Sequence, residues 1–84
     1  MKMNPEIEEI VDILEGIVND LSLKPRTNLS LVIEQLKKLP EENIDVSELM
    51  KIQEDLEMVS LMPSIDSYSR NEIINVLSMF EMLF

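Results

Sequence analysis

The sequence predicts an all-α fold, a small four-helix bundle built from two α-hairpins. Residues 14–39 and 56–83 follow one plan: an acidic amphipathic run, a proline-marked turn, then a second apolar-striped run. Apolar residues recur at steps of three and four, and no alternation of period two is long enough for a strand. The chain has one glycine and four prolines in 84 residues, so breaks are few and easily placed.

Helix one is expected to start at Asn4-Pro5, an N-cap followed by proline at the first helical position, with Glu6, Glu8 and Glu9 suiting the positive end of the helix dipole. Ile7, Ile10, Leu14, Ile17 and Leu21 form its stripe, and Val11, Ile13 and Val18 widen it beyond a two-stranded seam. The helix therefore needs more than one neighbour. Gly16 costs about 1 kcal/mol relative to alanine, which close helix contact would explain. Lys24-Pro25 is read as the end of this element, because a residue before proline is pushed out of the α region.

Helix two is expected to be capped by Thr27 or Asn28, with Leu29, Val32, Ile33, Leu36 and Leu39 as its apolar positions and Lys37 and Lys38 at its C-terminal end. Pro40-Glu41-Glu42-Asn43 separates the hairpins, which run over about 5–39 and about 45–83 of a single domain. Asp45-Val46-Ser47-Glu48 has the capping-box pattern, with Ile44 and Leu49 placed as a hydrophobic staple. Leu49, Ile52, Leu56 and Val59 make the stripe of helix three, which Met62-Pro63 breaks. Helix four starts after Asp66 or at Ser69-Arg70-Asn71-Glu72, and its apolar face is Ile73, Val76, Leu77 and Phe80. Leu14, Ile17, Leu36, Leu56, Val59, Ile73 and Leu77 lie mid-stripe and are expected to form the main core.

Composition excludes much chemistry. Without cysteine or histidine, the chain has no thiol nucleophile, disulfide, imidazole base, Ser-His-Asp triad or zinc site of the usual kind. Its start turns acidic before any apolar stretch long enough for a signal peptide, and no uncharged run approaches a membrane span, so a soluble cytoplasmic protein is expected. The net charge of −10 opposes direct binding to nucleic acid or anionic lipid. Charge runs acidic, basic, acidic along the chain, and the middle block of Lys24, Arg26, Lys37 and Lys38 is placed to neutralise its neighbours. No aromatic residue lies within that block to stack bases.

The remaining candidates are few. Glu8, Glu9 and Asp12, and Glu54, Asp55 and Glu57, have spacings at which carboxylates share Mg²⁺, but they alternate with core positions and read as solvated faces, so no metal or cofactor is expected. Arg70, at the start of the last helix, is expected to form a structural ion pair with a carboxylate. Tyr68 is expected to staple onto Ile73. Five of seven methionines, Met50, Met58, Met62, Met79 and Met82, fall in the second hairpin. The end, Met79-Phe80-Glu81-Met82-Leu83-Phe84, is apolar on nearly every side, and such a helix needs cover on more than one face. Met79, Met82, Leu83 and Phe84 are thus candidate interface residues of a homodimer, with Phe80 turned to its own core.

The chain also resembles uncharacterised protein family 147, a group of short archaeal proteins. The resemblance rests on Leu56-Glu57, Ser60, Pro63, Ser69-Arg70, Ile73, Asn75, Ser78 and Glu81 in ungapped order, and on Ile13-Leu14-Glu15 and Asp20-x-Ser22-Leu23. This chain has Leu61-Met62 where the family has an Asn-Asp pair, and Lys24-Pro25 is displaced by one. The resemblance implies an α-helical fold and archaeal origin, and no activity.

Together these features favour a non-enzymatic interaction or structural module that self-associates. An acidic module docking on a basic, nucleic-acid-associated protein is the alternative, and a carboxylate/Mg-dependent enzyme acting on nucleotides is a third reading.

Overall fold

Four helices form: α1 (Pro5–Val18), α2 (Leu23–Lys37), α3 (Val46–Ser60) and α4 (Ser67–Glu81); Leu21 and Leu39, expected on the stripes of the first two, are buried in the turns that follow them. This is a computed structural model that describes residues 3–83. Each helix packs on two neighbours, in the order α1, α2, α3, α4 and back to α1, so α1 lies diagonal to α3 and α2 to α4. The short connections reverse the chain each time. The start of α1 therefore meets both the α2–α3 turn and the end of α4, where Asn4, Asn43, Ile44 and Leu83 line one depression.

The helix starts show which signals acted. Asn4 Oδ1 accepts from the backbone N–H groups of Glu6 at 2.9 Å and Ile7 at 3.3 Å, supplying two of the donors that a helix start leaves unpaired. Asp45 Oδ1 accepts from Ser47 N–H at 2.9 Å, an N-cap bond to the second helical residue, and among the described residues neither bond of the expected capping box with Glu48 is made. Ile44 packs partly buried beside the core and Leu49 is fully within it, the positions required of the staple. Asp66 Oδ2 accepts from Ser69 N–H at 3.0 Å, which selects Asp66 as the start of α4. The bonds from Ser69 hold the Asp66 carboxyl below the usual aspartate value, so it caps as the anion.

Three local expectations are corrected. Neither Thr27 nor Asn28 caps α2; its N-cap position is Ser22, and Lys24-Pro25 lies inside its first turn. A proline there sacrifices nothing, because the N–H it lacks has no intrahelical acceptor, and the ladder begins with Arg26 N–H on Ser22 C=O at 3.0 Å. Tyr68 is no staple, being 67% exposed on the outer side of α4; the buried Ile65, just before the Asp66 cap, occupies the staple's outer position instead. Gly16 makes no close helix contact, since a Cβ built there meets nothing within 4 Å.

All four stripes converge on one core. Ile7, Ile10, Leu14, Leu29, Leu36, Leu56, Ile73, Val76 and Phe80 are completely buried. Of the expected central residues only Leu77 is displaced, to a half-buried place against the core. Among the described residues no buried side-chain nitrogen or oxygen lacks a hydrogen-bond partner. No described helix is long and apolar enough to cross a membrane.

The ring order also places charge. Helix α1 carries Glu6, Glu8, Glu9, Asp12 and Glu15 without a cation, and α3 carries Glu48, Glu54, Asp55 and Glu57 against Lys51. Between them lies α2, with Lys24, Arg26 and Lys37 against Glu34. The most acidic helices are thereby kept diagonal and screened by the basic one. Lys37 Nζ reaches Glu15 Oε2 at 2.8 Å, but with both side chains nearly half exposed the pair contributes less than about 1 kcal/mol.

Leu56→Ala is expected to lower unfolding free energy by about 2–5 kcal/mol, since Leu56 is fully enclosed. Gly16→Ala is expected to raise it by about 0.5–1 kcal/mol, because the helix gains propensity and the added methyl meets no obstacle. Urea denaturation measures both. An unchanged midpoint for the first, or a lowered one for the second, contradicts this packing.

Candidate functional site

Two surfaces of the bundle are unlike the charged surface of a solvated helix. The first is the outer side of α4. Phe80, Val76, Ile73 and Ser69 point inward, which at 100° per residue turns Asn71, Ile74, Asn75, Ser78 and Met82 outward. All five are exposed and uncharged, and Tyr68 extends the row. Glu81 and the half-buried Glu72 are the carboxylates at its two margins. The equivalent side of α1 presents Glu8, Glu9, Asp12 and Glu15. Ile74 is 47% and Met82 87% exposed.

This row runs down to the end of the bundle, where Met82 and Leu83 line a depression of about 250 Å³ with Ile44, Val46 and Leu49. The residues expected at an interface divide here. Met82 is free, Met79 and Leu83 lean half-buried on their own core, and Phe84 lies outside the described residues. Phe80 is completely buried. The apolar end is thus partly covered by the bundle itself, and the uncovered surface continues along α4 rather than around its tip.

The second surface is the groove between α2 and α3, which holds two depressions of about 320 and 380 Å³ sharing Gln35. Asn28 Nδ2 approaches Met62 Sδ at 3.9 Å, and this antiparallel register sets Leu31 opposite Met58, Gln35 opposite Asp55 and Lys38 opposite Lys51. Val32, Val59, Leu39 and Ile52 form its floor. Leu31 is 52% and Met58 64% exposed. Periodicity missed both, because Leu31 falls off the α2 stripe and Met58 off the α3 stripe; the groove emerges only when the two helices are set in register.

Arg70 differs from expectation. Its guanidinium takes no carboxylate among the described residues; Nε donates to Ser60 C=O at 2.9 Å and Nη2 to Met62 C=O at 3.2 Å and Ile65 C=O at 3.4 Å. The physical reason is local. The Ser60 carbonyl at the end of α3 lies at the negative end of the helix dipole without an intrahelical donor, the Met62 and Ile65 carbonyls follow in the turn, and that turn delivers Arg70 onto all three. Arg70 is a clamp on the α3–α4 turn, half-buried and committed to the fold.

The acidic groups stay dispersed. Glu8, Glu9, Asp12, Glu54 and Glu57 are exposed, and among the described residues no three carboxylates converge as metal ligands. Comparisons with known protein families, with curated proteins and with solved structures return no match. The resemblance to uncharacterised protein family 147 therefore rests on the residues quoted above.

Arg70→Met is expected to destabilise the fold by about 1–3 kcal/mol, because a side chain of similar length leaves the Ser60 and Ile65 carbonyls without their donor, Met62 C=O keeping Ile65 N–H. Arg70→Lys is expected to fall between the two, since a point charge lacks the planar fork that serves several acceptors. Full stability in Arg70→Met contradicts the clamp.

Proposed function

We propose that this chain is a non-enzymatic helical interaction module that forms a homodimer through the outer side of α4. The observation that supports it is the absence of charge from Asn71, Ile74, Asn75, Ser78 and Met82 in a chain of net charge −10. Two copies repel one another in almost any orientation, and least where these rows meet. Depletion of charge with methionine and an aromatic present is also the composition of interface centres.

A two-fold contact requires the row to be self-complementary. With the α4 helices antiparallel and the axis near Ile74 and Asn75, Asn71 meets the region of Ser78 in the second copy, and Met82 reaches the Ser67-Tyr68 end. Sulfur against a ring edge is a favourable contact, and the asparagines and serines satisfy each other's hydrogen bonds. One helix face is a small interface, so the dimer is of the weak, concentration-dependent class. The chain has neither histidine nor cysteine, which fits a role in assembly rather than catalysis.

Ile74→Glu combined with Met82→Glu is expected to give a folded monomer, because each contact then brings carboxylates against an apolar surface. Light scattering at concentrations on the order of 100 µM, with circular dichroism as the check on folding, reads the outcome. A monomer for the unmodified chain under these conditions, or an unchanged mass for the variant, overturns the proposal.

A further inference from the structure

We propose that the groove between α2 and α3 is a second binding surface, built to take a short basic amphipathic helix of a partner protein. The floor of Val32, Val59, Leu39 and Ile52 belongs to the core. The facing pair Leu31 and Met58 stands above it, largely exposed, at the scale and spacing of a helix-in-groove contact. From Asn28 to Lys38 the groove spans about 15 Å, the length of roughly three turns of a bound helix. Met58 and Met62 are flexible, polarisable side chains suited to fitting an incoming stripe.

Charge chooses the occupant. Asp55 is half-buried within the groove and makes no ion pair among the described residues, so a bound cation there gains a partner already partly withdrawn from water. The groove's own charges balance, Asp55 and Glu48 against Lys38 and Lys51, so the field of the whole chain at −10 decides, drawing in a basic helix and repelling an acidic one. The far end fixes direction. Lys38 and Lys51 face one another across the 380 Å³ depression, beside Glu48. The free carbonyls at the C-terminal end of a bound helix, with their negative dipole, suit that end, whereas an N-terminus is repelled from it. The helix therefore lies with its apolar stripe on Leu31 and Met58, a lysine or arginine on Asp55, and its C-terminal end over Lys38 and Lys51.

The test uses two synthetic helical peptides of about fourteen residues with the same leucine stripe, one with lysine and arginine at its polar positions and one with glutamate. Methyl and amide NMR titrations of the whole chain report where each binds. The basic peptide is expected to shift Leu31, Met58 and Met62, with affinity that falls as salt rises. Asp55→Asn should weaken it about threefold to fivefold. Leu31→Gln with Met58→Gln should remove the saturable shifts while circular dichroism stays unchanged. A spin label at the peptide's C-terminus should broaden Lys51 before Met62. The proposal is overturned if neither peptide binds, if the acidic one binds equally well, or if the shifts fall on the carboxylates of α1 or on Ile74 and Met82. The last outcome also separates this groove from the surface assigned to self-association.

Discussion

The apolar stripes of α1 and α2 are wider than one helix can cover, and the rest of the structure follows from that. Ile7, Ile10, Val11, Leu14 and Ile17 occupy too much of the α1 circumference for a single partner, and the same holds for Leu29, Val32, Ile33 and Leu36 on α2. A closed ring of four helices gives each one two neighbours. Connections as short as residues 19–22 then leave the order of the chain as the order of the ring. A domain of 84 residues has little margin, and complete burial of Phe80, Leu14 and Leu56 is where its stability is concentrated.

The ring also settles the electrostatics. Placing basic α2 between α1 and α3 keeps the two most acidic helices across the diagonal, with the Lys37–Glu15 pair as the visible trace of a wider compensation. Polar commitments inside the fold are local. Asp66 caps α4, and one turn later Arg70 caps the end of α3. The α3–α4 turn is therefore held from both sides by side chains of the helix that follows it. What remains outside is a surface sharply divided between carboxylates on α1, an uncharged row on α4 and a mixed groove between α2 and α3.

Much of this was legible beforehand for physical reasons. Caps such as Asn4, Asp45 and Asp66 act within three residues, so their chemistry is readable from adjacent letters, and the stripes identify most of the core. Pro25 misled because a proline ending one helix and a proline in the first turn of the next look alike when Ser22 makes no side-chain cap bond. The sequence points Arg70 toward a carboxylate because backbone carbonyls leave no mark in it. Gly16 suggested a close approach that the ring does not make. The uncharged row on α4 is spelled by Asn71, Ile74, Asn75 and Ser78, but apolar periodicity marks the tip at Met79 and Phe84 and gives no weight to polar residues without charge. The groove needed the register between α2 and α3, which no single helix encodes.

The uncharged face of α4, on an otherwise repulsive molecule, is proposed to join two copies. Sedimentation velocity of the unmodified chain in about 20 mM and about 500 mM salt tests it most directly, because screening removes the repulsion and leaves the contact. The average mass is expected to rise with salt from near 9.7 kDa toward twice that value. A mass that stays at the monomer in both, or association that weakens as salt is added, contradicts it.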